Sequence, residues 1–149
     1  MGFQIVRGYD HWKPAIDTYN HNFGTNSTVS NILDFNDAEK IENLPNTDVI
    51  IGSPPCVSFS NSNKSGKADK SMGVQLTECY LRIIAVKKHQ KNSQLKAWFM
   101  ENVVNSQRYL QPKYTFKDLN LEGWAIKNKI APQKIAIRLL KNTEIINSA

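Results

Sequence analysis

The sequence predicts an α/β fold with a largely parallel β-sheet, and two observations lead to this prediction. Short strand-like runs alternate with helical patterns along the chain, as in sheets whose parallel strands are joined by helices. The run at residues 48–53 is continuously apolar at its centre, which is typical of parallel strands buried on both faces. The length of 149 residues suits one domain with a single core.

The first strand and the first helix are predicted within residues 2–24. Residues 2–10 (GFQIVRGYD) are rich in β-favouring side chains and predict a strand that ends at Asp10. Residues 11–24 predict a helix, with Asp10 as its N-cap and Gly24 at the left-handed position that follows a helix.

The middle of the chain predicts two further strands and two further helices. Residues 29–35 (VSNILDF) predict the second strand, and residues 37–44 predict a short helix that ends before Pro45. Residues 48–53 (DVIIGS) predict the third strand. Residues 74–90 carry apolar side chains at helical spacing and predict an amphipathic helix with a basic C-terminal end.

The last part of the chain predicts three strands, at residues 97–103, 123–130 and 134–140. Ligands of open α/β sheets bind at the carboxyl ends of the parallel strands. Polar or reactive residues stand at four of these predicted ends: Asp10, Asp34, the Pro-Pro-Cys stretch that ends at Cys56, and Glu101 with Asn102. We therefore expect the functional site at that edge of the sheet.

Composition limits the classes of partner. Nineteen Lys and Arg against 13 Asp and Glu give a net charge of +6, which favours a polyanionic partner such as nucleic acid. No run approaches the roughly 18 apolar residues of a membrane span, so no membrane partner is expected. Two cysteines are too few for a disulfide framework, which predicts a cytoplasmic or nucleoid-associated protein. The three histidines show no metal-ligand spacing with the cysteines, so no metal is expected.

Cys56 is the candidate nucleophile. Pro54 and Pro55 restrict the backbone and form a stiff corner that would hold the thiol in place. The alternative for an isolated cysteine is a buried structural role. Cys79, predicted in the middle of a helix among apolar neighbours, is expected to have only that structural role.

Two acidic positions are candidates for further roles. Glu101 follows an apolar strand and suits a general acid, although Glu101 and Asn102 could equally be an ordinary pair capping a helix. Asp10 suits hydrogen bonds to a ribose, as acidic residues do in nucleotide-binding α/β folds.

Four motifs in order resemble those of the cytosine-5 DNA methyltransferases, across about residues 2–105. "GSPPCVSFS" resembles the Pro-Cys nucleophile motif of this family, and "FMENV" its Glu-Asn-Val motif. "YDHWKPAIDTYNHNFG" is similar to the second cofactor motif, and "NILDF" to the motif that holds the adenine of S-adenosylmethionine. The resemblance implies a Rossmann-like methyltransferase fold, DNA methylation with S-adenosylmethionine, and a place in restriction-modification.

The resemblance also implies a mechanism and assigns residues to it. A cytosine is flipped out of double-stranded DNA, Cys56 attacks its C6, Glu101 hydrogen-bonds or protonates N3, and Asn102 orients the Pro-Cys loop. The implied cofactor-binding residues are Asp10, His11, Asp34, Phe35, Gly52, Pro54 and Leu76. The implied DNA contacts are Ser58, Ser60, Lys64, Lys67 and Lys70.

The chain departs from the family pattern at both ends. Nothing in it resembles the family's first strand and glycine loop, nor a target recognition domain, so residues 1–149 are expected to be a partial catalytic domain. "APQKIAIR" resembles a Gln-x-Arg-x-Arg strand, but Ile135 and Ile137 stand where the arginines would be. A fragment, a subunit of a split enzyme with a complementary partner, and a degenerate remnant all fit these departures.

Two other functions fit the same residues. One is a catalytically inactive module of this family that binds nucleic acid or assembles with a partner. The other is an RNA cytosine-5 methyltransferase on the same scaffold, since a lysine-rich loop suits either polyanion.

Overall fold

A computed structural model describes residues 2–55, Phe59 and residues 70–139, with the side chain of Lys70 left out. The described residues contain six short strands, β1 (Tyr9–Asp10), β2 (Thr28–Val29), β3 (Val49–Gly52), β4 (Ala97–Met100), β5 (Lys113–Thr115) and β6 (Ile135–Arg138). Their helices are α1 (Lys13–Phe23), α2 (Ala38–Glu42), α3 (Lys70–His89) and α4 (Glu122–Lys127), with two 3₁₀ helices, η1 (Ile32–Phe35) and η2 (Val104–Arg108).

The strands form three pairs. β1 pairs with β2 and β3 with β4, both in parallel, whereas β5 and β6 are antiparallel. Helices lie between the partners of each parallel pair in the sequence, as parallel connections require. The mixed α/β class and parallel pairing within β1–β2 and β3–β4 agree with the prediction, but the described strands form three separate pairs rather than one largely parallel sheet, and the C-terminal pair is antiparallel.

The long helix α3 lies at the centre of the core. Its buried side chains pack with apolar residues from α2, α4 and the β5–β6 pair. The core includes Ile41, Leu81, Ile84, Val86, Tyr114, Phe116, Leu119, Trp124 and Ile137. The amphipathic helix predicted at residues 74–90 is confirmed, and it begins four residues earlier.

One face of the β3–β4 pair packs on α3, and the contact is closest at Gly52. A Cβ atom at residue 52 would overlap the ring of Tyr80, so only glycine fits without rearrangement. The Tyr80 hydroxyl donates a hydrogen bond to the carbonyl oxygen of Phe99 at 2.7 Å. The opposite face of the pair leaves Ile51 76% and Phe99 59% exposed.

The predicted N-terminal elements need correction. The strand predicted at residues 2–10 is only Tyr9–Asp10, and residues 2–7 are exposed. The N-cap of α1 is Trp12 rather than Asp10, whose carboxylate accepts a hydrogen bond from the Trp12 backbone N–H at 2.8 Å. The left-handed conformation expected of Gly24 is confirmed, at φ 60°.

The strand predicted at residues 29–35 was also wrong for most of its length. After β2, the chain enters η1, which Asn31 caps by accepting a hydrogen bond from the Leu33 N–H at 3.0 Å. The Asp34 carboxylate accepts in return from the Asn31 N–H at 3.3 Å. This reciprocal capping satisfies backbone donors locally and competes with strand pairing.

The C-terminal elements were predicted correctly in one of two cases. Residues 134–140 contain β6 as predicted, but residues 123–130 contain α4 and not a strand. Trp124 in α4 is buried, and its indole N–H donates to a Glu42 carboxylate oxygen at 2.8 Å. This tertiary contact with α2 is not visible in the local sequence pattern. No helix among the described residues is long and apolar enough to span a membrane.

Candidate active site

The carboxyl ends of β3 and β4 lie side by side, and this places two of the predicted motifs together. Gly52 stands opposite Met100 in the parallel register. The backbone N–H of Glu101 then donates to the Gly52 carbonyl oxygen at 2.9 Å. The chain that follows β3 towards Cys56 therefore leaves the sheet beside the chain that carries Glu101 and Asn102.

Ser53 holds the carboxylate of Glu101. The Ser53 hydroxyl donates a hydrogen bond to Glu101 Oε2 at 2.6 Å. Both side chains are exposed, so the carboxyl group can reach a ligand at the sheet edge. The sequence predicts that Glu101 leaves a buried strand, and the structure places it at the solvent-facing edge. Ser53 was not identified from the sequence, because its importance depends on the register between β3 and β4.

Asn102 contacts the proline corner on the other chain segment. Its Nδ2 donates to the carbonyl oxygen of Pro54 at 3.3 Å, and its Oδ1 accepts from the Val103 N–H at 2.8 Å. Pro54 is buried. The Asn102 side chain therefore joins the Glu-Asn-Val motif to the residues that precede Cys56.

A second contact joins these two segments on the far side of Cys56. Asn105, in η2, donates its Nδ2 hydrogen to the carbonyl oxygen of Phe59 at 2.8 Å. The Phe59 ring is 1% exposed and stacks on the ring of Tyr109, with centroids 5.4 Å apart. None of these three residues was identified from the sequence, since an Asn and two aromatic residues in a loop carry no distinctive pattern.

Several predicted site residues lie outside the described residues. They are Cys56, Ser58, Ser60, Lys64 and Lys67. The backbone of Lys70 begins α3, but its side chain is also outside the described part of the chain. Their roles stay predictions.

Asp10 and His11 lie at the end of β1. The Asp10 carboxylate is 48% exposed, with Oδ1 accepting from the Trp12 N–H and 3.5 Å from His11 Nδ1. His11 is exposed as well. Its ring is thus close enough to Asp10 for the two to face a ligand together.

Asp34 and Phe35 lie close to the end of β1. The ring of Phe35 meets that of Tyr9 edge-on at a centroid distance of 5.7 Å, so η1 is held beside β1. Asp34 is exposed, and Leu76, in α3, is half-buried. Among the described residues, no hydrogen bond joins Asp34, Phe35 or Leu76 to Glu101 or Asn102.

A comparison with protein families tests the resemblance on which these motifs were identified. The profile of the C-5 cytosine-specific DNA methylases matches residues 1–131. The chain belongs to this family. The parallel pairs β1–β2 and β3–β4 agree with the Rossmann-like methyltransferase fold that membership implies.

Several bacterial relatives of this chain are named Type II methyltransferases. M.HgiGI of Herpetosiphon aurantiacus is 34% identical over 84 residues, which are 56% of this chain and 64% of the relative. M.HindV of Haemophilus influenzae is 34% identical over 105 residues, which are 68% of this chain and 31% of the relative. M.Bsp6I of Bacillus sp. is 29% identical over 148 residues, 97% of this chain and 44% of the relative.

The chain thus spans less than two thirds of the length of these relatives. No solved structure matches it.

Cys79 is the cysteine that lies within the described part of the chain. It is 3% exposed, and Arg82 Nη1 lies 3.8 Å from its sulfur. Burial raises the pKa of the Cys79 thiol, and the positive charge of Arg82 only partly opposes that shift. A buried thiol with a raised pKa is a poor nucleophile, in agreement with the prediction that Cys79 is structural.

Proposed function

We propose that this chain carries the catalytic residues of a DNA cytosine-5 methyltransferase, with Cys56 as the nucleophile. The observation that supports this most is the meeting of two motifs at the carboxyl ends of β3 and β4. Glu101 and Asn102 contact Ser53 and Pro54 through side-chain hydrogen bonds of 2.6 and 3.3 Å. Addition to a cytosine ring needs a nucleophile, which the cysteine after the two prolines would supply, and a carboxyl group beside it.

The proposed reaction starts on the cytosine ring. The Cys56 thiolate forms a bond to C6, and the electron pair of the C5–C6 double bond moves into the ring. Negative charge then develops towards N3, where the carboxyl of Glu101 donates a hydrogen bond or a proton. C5 becomes the nucleophile towards a methyl donor. After methylation, a water molecule takes the C5 proton, the C5–C6 double bond re-forms and the C6–S bond breaks to release the Cys56 thiolate. A proton that N3 received from Glu101 returns to it.

The contact between Ser53 and Glu101 suits this role. A hydroxyl donor at 2.6 Å fixes one carboxyl oxygen and leaves the other free for the base. Because Glu101 is exposed, it can exchange protons with solvent between turnovers. The ring must leave the DNA stack to reach both Glu101 and Cys56, which is the reason for base flipping in this proposal.

S-adenosylmethionine is the proposed methyl donor, and residues near the end of β1 fit its nucleoside part. Among the described residues, no hydrogen bond is made by Asp10 Oδ2, which leaves an acceptor for ribose hydroxyls. Asp34, Phe35 and Leu76 offer an exposed carboxylate and two partly exposed apolar side chains for the adenine. We assign His11, Gly52 and Pro54 to the same site. When bound, the cofactor supplies an electrophilic methyl group on its sulfonium sulfur.

The proposed substrate is double-stranded DNA. The net charge of +6 suits a polyanion, and we propose that Lys64, Lys67 and Lys70 contact phosphates, with Ser58 and Ser60. The relatives named above are Type II methyltransferases, so we also propose a role in restriction-modification.

Methylation by the full-length protein tests the proposal. The protein is incubated with S-adenosylmethionine and either duplex DNA or RNA, and the nucleosides are analysed by mass spectrometry. The proposal predicts 5-methylcytosine in DNA, lost in Glu101→Gln and retained in Glu122→Gln, a matched change at an exposed glutamate of α4. 5-Methylcytosine in RNA alone would indicate the RNA enzyme. Absence from both, also after the segments missing relative to the family are supplied as a second chain, would indicate an inactive module.

A further inference from the structure

Two asparagines from one segment hold the chain on both sides of residue 56. Asn102 Nδ2 donates to the Pro54 carbonyl oxygen at 3.3 Å, and Asn105 Nδ2 donates to the Phe59 carbonyl oxygen at 2.8 Å. Both donors follow directly after β4, within a stretch that includes the start of η2. The two anchored carbonyls therefore share one rigid support.

The contact at Phe59 involves more than one hydrogen bond. The Phe59 ring is 1% exposed and stacks on Tyr109 with an interplanar angle of 22°. Burial of an aromatic ring together with a backbone hydrogen bond fixes both the side chain and the main chain of residue 59. Residue 59 is three residues after Cys56, and Pro54 is two before it.

We propose that Asn105 is a positioning residue for the nucleophile, acting through the backbone of Phe59. This inference rests on the proposed function, because it takes Cys56 as the attacking group. Attack on C6 requires the sulfur within a few tenths of an ångström of its productive position, and a misplacement of about 1 Å can cost on the order of 100-fold in rate. A chain held at Pro54 alone would leave residue 56 on a segment with one free end.

Asn128 provides a matched control. Its Nδ2 donates to the carbonyl oxygen of Trp124 at 2.9 Å, and the side chain is half-buried, like that of Asn105. It lies at the end of α4, away from the β3–β4 edge. Changing either asparagine to alanine removes the same kind of hydrogen bond.

The test compares Asn105→Ala and Asn128→Ala in the full-length protein. Single-turnover methylation, DNA affinity and thermal unfolding are measured for each. We expect Asn105→Ala to lower the single-turnover rate about 10- to 100-fold with DNA affinity within about twofold of wild type. Asn128→Ala should keep the wild-type rate while lowering the unfolding temperature about as much as Asn105→Ala does. Asn105→Gln, which retains an amide donor, should recover part of the rate.

Hydrogen–deuterium exchange gives a readout that needs no turnover. Amides of a peptide covering residues 53–62 should exchange at least several-fold faster in Asn105→Ala and at the wild-type rate in Asn128→Ala. The inference would be overturned if the wild type methylates DNA and the Asn105→Ala variant does so at the same rate. If the wild type does not methylate, the proposed function fails, and unchanged exchange at residues 53–62 would separately show that Asn105 does not hold this segment.

Discussion

At the scale of single residues, the site depends on polar side chains that connect two chain segments. Glu101 and Asn102 stood out in the sequence because they follow an apolar run that was predicted to be a strand. Ser53 and Asn105 did not, because serine and asparagine are common in loops and their partners depend on strand register. A residue pattern therefore identified the chemical groups, whereas the side chains that hold them became visible only in the structure.

The hydrogen bond from Ser53 to Glu101 leads to a prediction about rate. Ser53→Ala removes the donor, so the carboxylate loses the contact that fixes its orientation. We expect the single-turnover methylation rate to fall by about three- to tenfold, given the modest strength of an exposed hydrogen bond. Ser53→Thr keeps the hydroxyl and should retain most of the rate. An alanine variant as fast as wild type would show that Ser53 does not serve Glu101.

At the scale of secondary-structure elements, long periodic or continuously apolar segments were predicted well and short ones poorly. Helix α3 and strand β3 form where they were predicted, since each has a strong apolar pattern. The burial of β3 on both faces was wrong, because Ile51 on its outer face is 76% exposed. The segments at residues 29–35 and 123–130 failed for different reasons. Local capping by Asn31 replaced strand pairing in the first, and packing of Trp124 favoured a helix in the second.

The packing of β3 on α3 predicts a difference between two glycines. Gly52→Ala would place a Cβ atom into the ring of Tyr80, and such overpacking typically costs roughly 1–3 kcal/mol. At Gly123, in α4, a Cβ atom would meet nothing within 4 Å, so Gly123→Ala should be neutral or stabilising by up to about 1 kcal/mol. Denaturant unfolding measures both. Equal effects of the two substitutions would contradict the close contact at Gly52.

The lysines after the proline corner predict that DNA binding depends on salt concentration. If Lys64, Lys67 and Lys70 each contact a phosphate, changing all three to Gln lowers the slope of log affinity against log salt by up to about three. DNA binding is measured at several salt concentrations. A control variant removes the same charge from three exposed lysines elsewhere, Lys91, Lys113 and Lys117. Equal changes in slope for the two variants would mean that Lys64, Lys67 and Lys70 contribute only net charge.

At the scale of the whole molecule, α3 connects the parts. It packs against α2, against η1, whose Phe35 meets Tyr9 of β1, and against β6 of the C-terminal pair. The sequence could predict the class of fold from alternating elements, but not the division into three strand pairs. That division depends on contacts between residues far apart in the chain, which local periodicity does not encode.

His89 lies where α3 meets β6 and predicts a pH-dependent stability. Its Nε2 lies 3.2 Å from the Ala136 carbonyl oxygen, and its ring meets Phe116 edge-on at 5.1 Å. Burial lowers the pKa of His89; the Ala136 carbonyl opposes the shift, and the charges of Lys88 and Lys134 add to it. The unfolded chain therefore binds this proton more readily than the folded chain.

The direction of the pH dependence of stability follows from that difference in proton affinity. His89 contributes full stability above its unfolded pKa of about 6.5, and this contribution is lost as the pH falls from there through the lower folded pKa. The unfolding temperature of the wild type should fall over this range. His89→Gln, which keeps a side-chain N–H donor, should reduce that fall, whereas His21→Gln on the exposed face of α1 should not. The same pH dependence in His89→Gln as in wild type would contradict the prediction.

Covalent trapping shows whether Cys56 attacks cytosine, the step on which the proposed reaction depends. The full-length protein is incubated with S-adenosylmethionine and duplex DNA containing 5-fluorocytosine. Fluorine cannot leave as the C5 proton does, so the intermediate should accumulate as a protein–DNA adduct that survives denaturation. We expect an adduct whose linked peptide contains Cys56, absent in Cys56→Ser and present in Cys79→Ser. An adduct that persists in Cys56→Ser, or that maps to Cys79, would show that Cys56 is not the nucleophile.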